Sequence, residues 1–330
     1  MLGFIHRRVF CSFRRIACDL VQIPAKRPGM YNLLRYLFIA FCLGVVALGA
    51  ALYVTRPKSV DLSQFSELLG DPGAGEAVFW AGGCASCHAA PEASDEARLV
   101  LVGGRAFASD FGTFYAPNIT PDAENGIGGW DLNDLANALV HGTSLTGQHY
   151  YPAFPYTSYA NMAAQDVADL KAYLDTLPAE STPSRPHDVG FPFNIRASLG
   201  GWKLLFATDA WALDGDLTEE VVRGRYLVEV LGHCTECHTP RNVLGGLDRQ
   251  SWMQGGVLHG GERAPNLIAT MEDWAAEDIA EYLSSGFTPD FDSVGGEMVE
   301  VVENFAHLTD ADRLAVGAYL EKLAAVGDEE

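Results

Sequence analysis

The chain has 330 residues, 48% of them apolar and 20% charged, a size of about two domains at roughly 150 residues each. That composition excludes a broadly disordered chain. A formal net charge of −21 excludes nucleic-acid binding through phosphate contacts, which need a basic surface.

The charge is divided along the chain. Residues 1–58 hold nine bases and one acid, Asp19, for a net of +8, so the remainder carries −29. Residues 1–32 read as a cytoplasmic tail, or as an upstream extension with Met30 as the true start. The run from Tyr36 to Thr55 has no charge. As a helix its twenty residues rise about 30 Å, enough to cross a bilayer. Seven bases precede it and two follow, which keeps the N-terminus in the cytoplasm and exports the body. A transmembrane anchor over residues 33–55 is therefore expected. A cleaved signal peptide is the competing reading, although its apolar core is usually only about 7–15 residues.

The chain has seven cysteines. Cys11, Cys18 and Cys42 lie in the tail and the span, where lone cysteines behave as small hydrophobes. The other four form Cys84-Ala-Ser-Cys87-His88 and Cys234-Thr-Glu-Cys237-His238. C-x-x-C-H is the attachment signature of c-type haem. Two thiols at that spacing reach the two vinyl groups of a porphyrin, and the next residue sets an imidazole under the iron. A thioredoxin-like redox pair and half a zinc site compete for one such motif. Two copies, each ending in His and each behind an export signal, favour haem. Two covalently attached haem c groups are expected, held by Cys84, Cys87, His88, Cys234, Cys237 and His238, with His88 and His238 on the irons.

The sequence repeats around the motifs. Gly75 to Phe79 matches Gly224 to Val228, and Ala116-Pro117-Asn118-Ile119 matches Ala264-Pro265-Asn266-Leu267. Trp130 to Leu135 matches Trp274 to Ile279, Gly142 matches Gly286, and Ala172-Tyr173-Leu174 matches Ala318-Tyr319-Leu320. Ordered matches with a drifting offset mean a tandem duplication with small loop changes. Each copy reads as all-helical. Leu132, Leu135, Leu139 and Val140 fall at helical spacing, as do Ile279, Tyr282 and Leu283. A helix is predicted over 164–177, ended by Pro178, and Thr309 to Asp312 predicts a cap before the last helix.

Each half resembles a class I cytochrome c domain. Gly75 with Phe79, and Gly224 with Tyr226, match the first of the family's two crossing helices. Tyr173-Leu174 and Tyr319-Leu320 match the second. The resemblance implies an all-α fold of two tandem class I cytochrome c domains behind one N-terminal transmembrane helix. Domain 1 would cover 65–178 and domain 2 217–326, joined by an aromatic linker over 179–216 that packs on both. It also implies that the carbonyls of Pro117 and Pro265 hold the proximal histidines. More narrowly, 116–122, 126–130, 151–160, 191–196, 201–206 and 232–242 resemble the cytochrome c subunits of membrane-bound alcohol, fructose and aldehyde dehydrogenases. Those subunits usually carry three haems.

A sixth ligand decides whether a haem carries electrons or binds small molecules. The resemblance implies Met298, after Gly295-Gly296, as the ligand of the second haem. Core packing is its alternative. At the first haem, Phe154 stands where the three-haem relatives have the ligating Met. Met162, His149 and an open site remain as readings, although Met162 aligns with the apolar Leu308. His141, His187, His233, His259 and His307 read as surface or structural, and Trp130 and Trp274 as core. Arg241 reads equally as a propionate partner or a solvated loop residue.

The expectation is an electron-transfer protein on the periplasmic side of the inner membrane, anchored by a single pass. The resemblance implies a dehydrogenase of molybdenum, quinoprotein or flavin type as donor. Quinone, another cytochrome or a terminal oxidase would accept. The rival is a dihaem oxidoreductase of peroxidase or thiosulfate dehydrogenase type, with catalysis at the first haem.

Overall fold

A computed structural model describes residues 28–65, 67–258 and 261–327. The tail over 1–27, with Cys11 and Cys18, and His259 lie outside the described residues. Helix α1 (Pro28–Val54) has 27 residues and is about 40 Å long. Its stretch Tyr31–Val54 has a mean hydropathy of 2.5 and buries none of its surface. It is apolar on all sides and long enough to cross a bilayer, as an anchor or as a signal sequence.

Thr55 begins a separate compact unit that holds everything after it. Its first half carries α2 (Pro72–Ala81), α3 (Cys84–His88), a hairpin of β1 (Ala106–Ser109) and β2 (Gly112–Tyr115), α4 (Leu132–His141) and α5 (Ala164–Leu174). A middle segment contains α6 (Ser198–Phe206). The second half carries α7 (Glu219–Arg225), which runs on as a π-helical turn over Tyr226–Leu231, then α8 (Thr235–His238). After them come a hairpin of β3 (Gly256–Val257) and β4 (Arg263–Ala264), α9 (Leu267–Thr270), α10 (Ala276–Ser285), α11 (Met298–Phe305) and α12 (Asp310–Gly327).

The halves are built alike. Asp71 caps α2 by accepting from Gly73 N, with Pro72 in the first turn, and Thr218 caps α7 by accepting from Val221 N. α2 crosses α5 at Gly75, where a Cβ would sit 2.9 Å from Tyr173 Cβ. α7 crosses α12 at Gly224, where a Cβ would sit 2.8 Å from Tyr319 Cβ. Only a residue without a side chain lets two helices approach this closely. α4 and α10 both end on a glycine in the left-handed conformation, Gly142 and Gly286.

One apolar core runs through both halves, joining Phe79, Leu101, Leu170 and Tyr173 to Leu227, Met253, Leu308 and Tyr319. Trp130 and Trp274 pack against it, in keeping with their core reading. The helical expectation omits the two hairpins. β1 and β2 pair antiparallel, Ala106 opposite Tyr115, and β3 pairs with β4, Gly256 opposite Ala264. With four and two residues per strand they are loop closures with no sheet core of their own. α5 stops at Leu174, and residues 175–177 close as tight turns instead of the predicted last helical turn. Pro178 disfavours helical geometry in the residue before it. Thr309 Oγ1 accepts from Asp312 N at 3.1 Å, the predicted cap of α12.

The middle segment packs on both halves. Asn118 Nδ2 donates to the carbonyls of Glu180 and Thr182 at 2.7 and 2.8 Å. Trp202 Nε1 donates to Leu244 O at 2.9 Å, and Arg249 donates to Ala210 O at 3.0 Å.

Candidate functional site

Each C-x-x-C-H motif closes one helical turn, α3 or α8, directly after the helix that crosses the C-terminal helix of its half. Gly83, in the left-handed region, turns the chain from α2 into α3. His233 does the same before the second motif at φ 37°. The carbonyls of His88 and His238 then accept from Gly103 N and Gly255 N, at 2.7 and 2.8 Å.

His88 Nδ1 lies 2.9 Å from Pro117 O, and His238 Nδ1 lies 2.9 Å from Pro265 O. A carbonyl only accepts, so Nδ1 carries the proton and Nε2 keeps its lone pair. Burial holds both imidazoles below the ordinary histidine range, against the opposing pull of the proline carbonyls. The result is a neutral, oriented imidazole with one free donor atom, the form an iron ligand needs. None of the four motif cysteines is paired in a disulfide. Burial pushes Cys84 and Cys234 up to about 12, and Cys87 and Cys237 up to about 11. A redox-active pair needs the opposite, a lowered thiol. Among the described residues, no group of three or more His, Cys, Asp or Glu side chains is arranged to hold a bare metal ion. Cysteines outside any disulfide, beside an oriented imidazole, fit covalent haem c at both motifs.

Each motif packs against the opposite half through an equivalent pair of residues. Ser86, inside the first motif, accepts from Asn304 Nδ2 at 2.8 Å. Glu236, inside the second, accepts from Ser158 Oγ at 3.3 Å and Thr157 Oγ1 at 3.4 Å. Ser158 and Asn304 are equivalent positions, each one residue before a large ring, Tyr159 or Phe305. Tyr159 reaches across to His233 with 5.8 Å between ring centroids. Trp80 of α2 stacks on His307 at 3.8 Å with 3° between planes. Ion pairs flank the contact: Arg105 with Glu300 at 2.7 Å and Arg98 with Glu303 at 2.7 Å. Arg105 also donates to Ser86 O.

The candidate sixth ligands fall as follows. The turns Tyr150 N to Gly142 O and Val294 N to Gly286 O, at 2.8 and 2.7 Å, set the two halves in register. In that register Phe154 is the counterpart of Met298, which opens α11. Met162 N bonds Tyr159 O as Leu308 N bonds Phe305 O, so Met162 is the counterpart of Leu308. Met162 and Leu308 are both buried. His149 is buried with Nε2 3.0 Å from Thr55 O, while its Nδ1 has no hydrogen-bond partner. Met253, also buried, is the counterpart of Leu101: their carbonyls accept from Leu267 N and Ile119 N. Arg241 pairs with Glu236 and donates to Gly245 O at 2.8 Å, closing its own loop. His187 Nδ1 accepts from Tyr115 N at 3.1 Å, and His141 sits in the last turn of α4.

The contact between the halves is not legible in the sequence. Ser86 and Asn304 are 218 positions apart and Ser158 and Glu236 are 78 apart, with no motif marking either pair. The duplication is the available signal, since a tandem pair of like folds tends to pack symmetrically.

The Cytochrome c family model matches residues 73–178. The chain is 56% identical over 293 residues to a diheme cytochrome c-type protein of Cereibacter sphaeroides, covering 88% of this chain and 99% of the relative. It is 36% identical over 250 residues to the fructose dehydrogenase cytochrome subunit of Gluconobacter japonicus, covering 73% of this chain and 50% of that protein. It is 35% identical over 266 residues to the gluconate 2-dehydrogenase cytochrome c subunit of Pantoea cypripedii, covering 76% of this chain. There it spans 59% of the relative's length.

Proposed function

The chain belongs to the dihaem c-type cytochromes, electron-transfer proteins with covalently bound haem c, and we propose that it carries single electrons from a periplasmic dehydrogenase to the respiratory chain while anchored in the inner membrane by α1. Two tandem cytochrome c domains, over 65–178 and 217–326, would each hold one haem, with 179–216 as the packed connection. The observation that carries this reading is the pair of motifs, each with a histidine oriented by a proline carbonyl at 2.9 Å.

Haem c supplies reversible one-electron iron chemistry. The protein's own residues do the rest. Cys84, Cys87, Cys234 and Cys237 would tether it, and His88 and His238 would ligate through Nε2. Pro117 and Pro265 fix the ring tautomer and raise the ligands' basicity. Met298 would supply a thioether to the second iron, and Met162 is the thioether reading for the first. The Ser86–Asn304 and Ser158–Glu236 bonds tie each attachment segment to the opposite half. The strongly acidic body steers basic redox partners. A dehydrogenase as donor is supported by the names of the relatives, and a quinone, cytochrome or terminal oxidase is the class of acceptor.

The rival reading, a dihaem oxidoreductase of peroxidase or thiosulfate dehydrogenase type, is favoured by one observation: Phe154, which cannot ligate iron, occupies the counterpart position of Met298. Near-infrared magnetic circular dichroism of the purified protein, with and without carbon monoxide, separates the readings. Two His/Met signatures and no carbon monoxide shift support the carrier with Met162. One His/His signature transfers the ligation to His149. A carbon monoxide shift on one haem, with turnover of peroxide or thiosulfate, supports the rival.

A further inference from the structure

Thr55, the residue after α1, is already seated on the body. Its carbonyl lies 3.0 Å from His149 Nε2. Lys58 O accepts from Thr143 Oγ1 at 2.8 Å, and Val60 N donates to Asn137 Oδ1 at 2.8 Å. The join to Val54 is one trans peptide, about 3.8 Å between Cα atoms. The face that carries Thr55 is therefore one covalent bond from the end of the apolar run.

α6 is part of that face. A Cβ on Gly200 would meet Thr55 Cβ at 2.8 Å and His149 Nε2 at 2.9 Å, so the helix passes directly against Thr55. One turn further on, Leu204 and Leu205 are 67% and 70% exposed. Just before the helix, Phe191 is 81% exposed, and Phe193 and Ile195 are exposed as well. Apolar exposure of this density in a soluble body marks an interface.

The charge of the face departs from the rest of the molecule. Residues 55–60 and 189–208 contain Arg56, Lys58, Arg196 and Lys203 and no acid, in a chain with 43 acids. Lys58 is close enough to Lys203 to help hold it below its usual range, although burial is the larger cause. Bases beside exposed aliphatic and aromatic side chains are the composition of a membrane-surface element.

We propose that α6, with residues 191–195 and 55–60, lies on the bilayer surface, with Phe191, Leu204 and Leu205 in the headgroup–acyl boundary and Lys58 against anionic headgroups. This inference rests on the reading of α1 as a retained anchor.

The test uses the full-length holoprotein in vesicles of phosphatidylethanolamine and phosphatidylglycerol. Cys11, Cys18 and Cys42 are replaced by Ser, and a nitroxide is placed at Leu205→Cys or, as control, at Glu277→Cys on the acidic helix α10. Collision with oxygen and with a nickel chelate is measured in the oxidised protein, each against the same sample under nitrogen, so that relaxation of the label by the irons cancels. A severalfold higher oxygen-to-nickel ratio at position 205 than at 277 is the expected result. Equal ratios overturn the proposal, as does nickel access at 205 that is lost only when a dehydrogenase is added, which would make the face a protein-docking surface. In a second variant, a label at Phe193→Cys should lose its oxygen preference when Leu204→Asp and Leu205→Asp are introduced. Retention of that preference counts against the proposal. Alkaline carbonate extraction of the unaltered chain checks the anchor separately. A chain that washes off defeats the anchor reading, whereas one that stays with an aqueous position 205 defeats only the surface contact.

Discussion

Asn304→Ala tests whether the contact between the two halves holds them in register. Asn304 is 2% exposed, donates to Ser86 Oγ at 2.8 Å and accepts from Arg98 at 3.2 Å. A neutral hydrogen bond contributes about 0.5–1.5 kcal/mol net, and a bond from a charged donor about 1.5–3. Arg98 keeps its ion pair with Glu303, whose carboxylate is half-exposed, so the charged bond sits at the low end. The expected loss is about 2 kcal/mol in denaturant unfolding of the holoprotein. A cycle with Ser86→Ala should return a coupling of about 1 kcal/mol for the Ser86–Asn304 bond. Electron equilibration between the haems after flash reduction should slow in the same variants, with unchanged haem content. Glu303→Gln, which leaves the Ser86 bond intact, should change stability by about 1 kcal/mol or less. A loss in Asn304→Ala no larger than that of Glu303→Gln, with unaltered electron equilibration, would refute the reasoning.

Three further outcomes follow from the same geometry. In Gly224→Ala the added Cβ would overlap Ala315 O and lie 2.8 Å from Tyr319 Cβ, so overpacking of about 1–3 kcal/mol outweighs the helix-propensity gain of about 1, and the melting temperature should fall. Met298→Leu should leave haem content unchanged and turn the second haem into a carbon monoxide binder, read by the difference between the reduced spectra with and without carbon monoxide; an unaltered spectrum would remove Met298 from the iron. Burial raises the Glu229 carboxyl above its ordinary 4.5, against its bonds from Tyr319 Oη and Ala212 N. The folded state therefore binds that proton more tightly. Its stabilising contribution is full below pH 4.5 and is lost as pH rises through the raised value. Glu229→Gln should flatten that part of the stability–pH curve in urea titrations, and an unchanged curve would argue against the shift.

Much of this protein is written in local sequence. The two C-x-x-C-H motifs carry their chemistry in five residues each, because thiols and imidazole must share one helical turn. The apolar run that becomes α1 needs no partner to be legible, since length and absence of charge suffice. The duplication is readable because Gly75, Gly224, Tyr173 and Tyr319 sit at helix crossings where nothing larger or smaller fits. Tertiary structure alone decided the rest. That Phe154 and Met298 are counterparts depends on matching hydrogen-bonded turns across halves whose intervening loops differ in length. The seating of Thr55 against α6 joins distant stretches of chain through Gly200, a glycine required for close approach. The pairing of Ser86 with Asn304, and of Ser158 with Glu236, arises only when the two like halves of the chain pack together. Such contacts have no local signature, because a polar residue in a turn looks the same whether its partner is water or the other half of the chain.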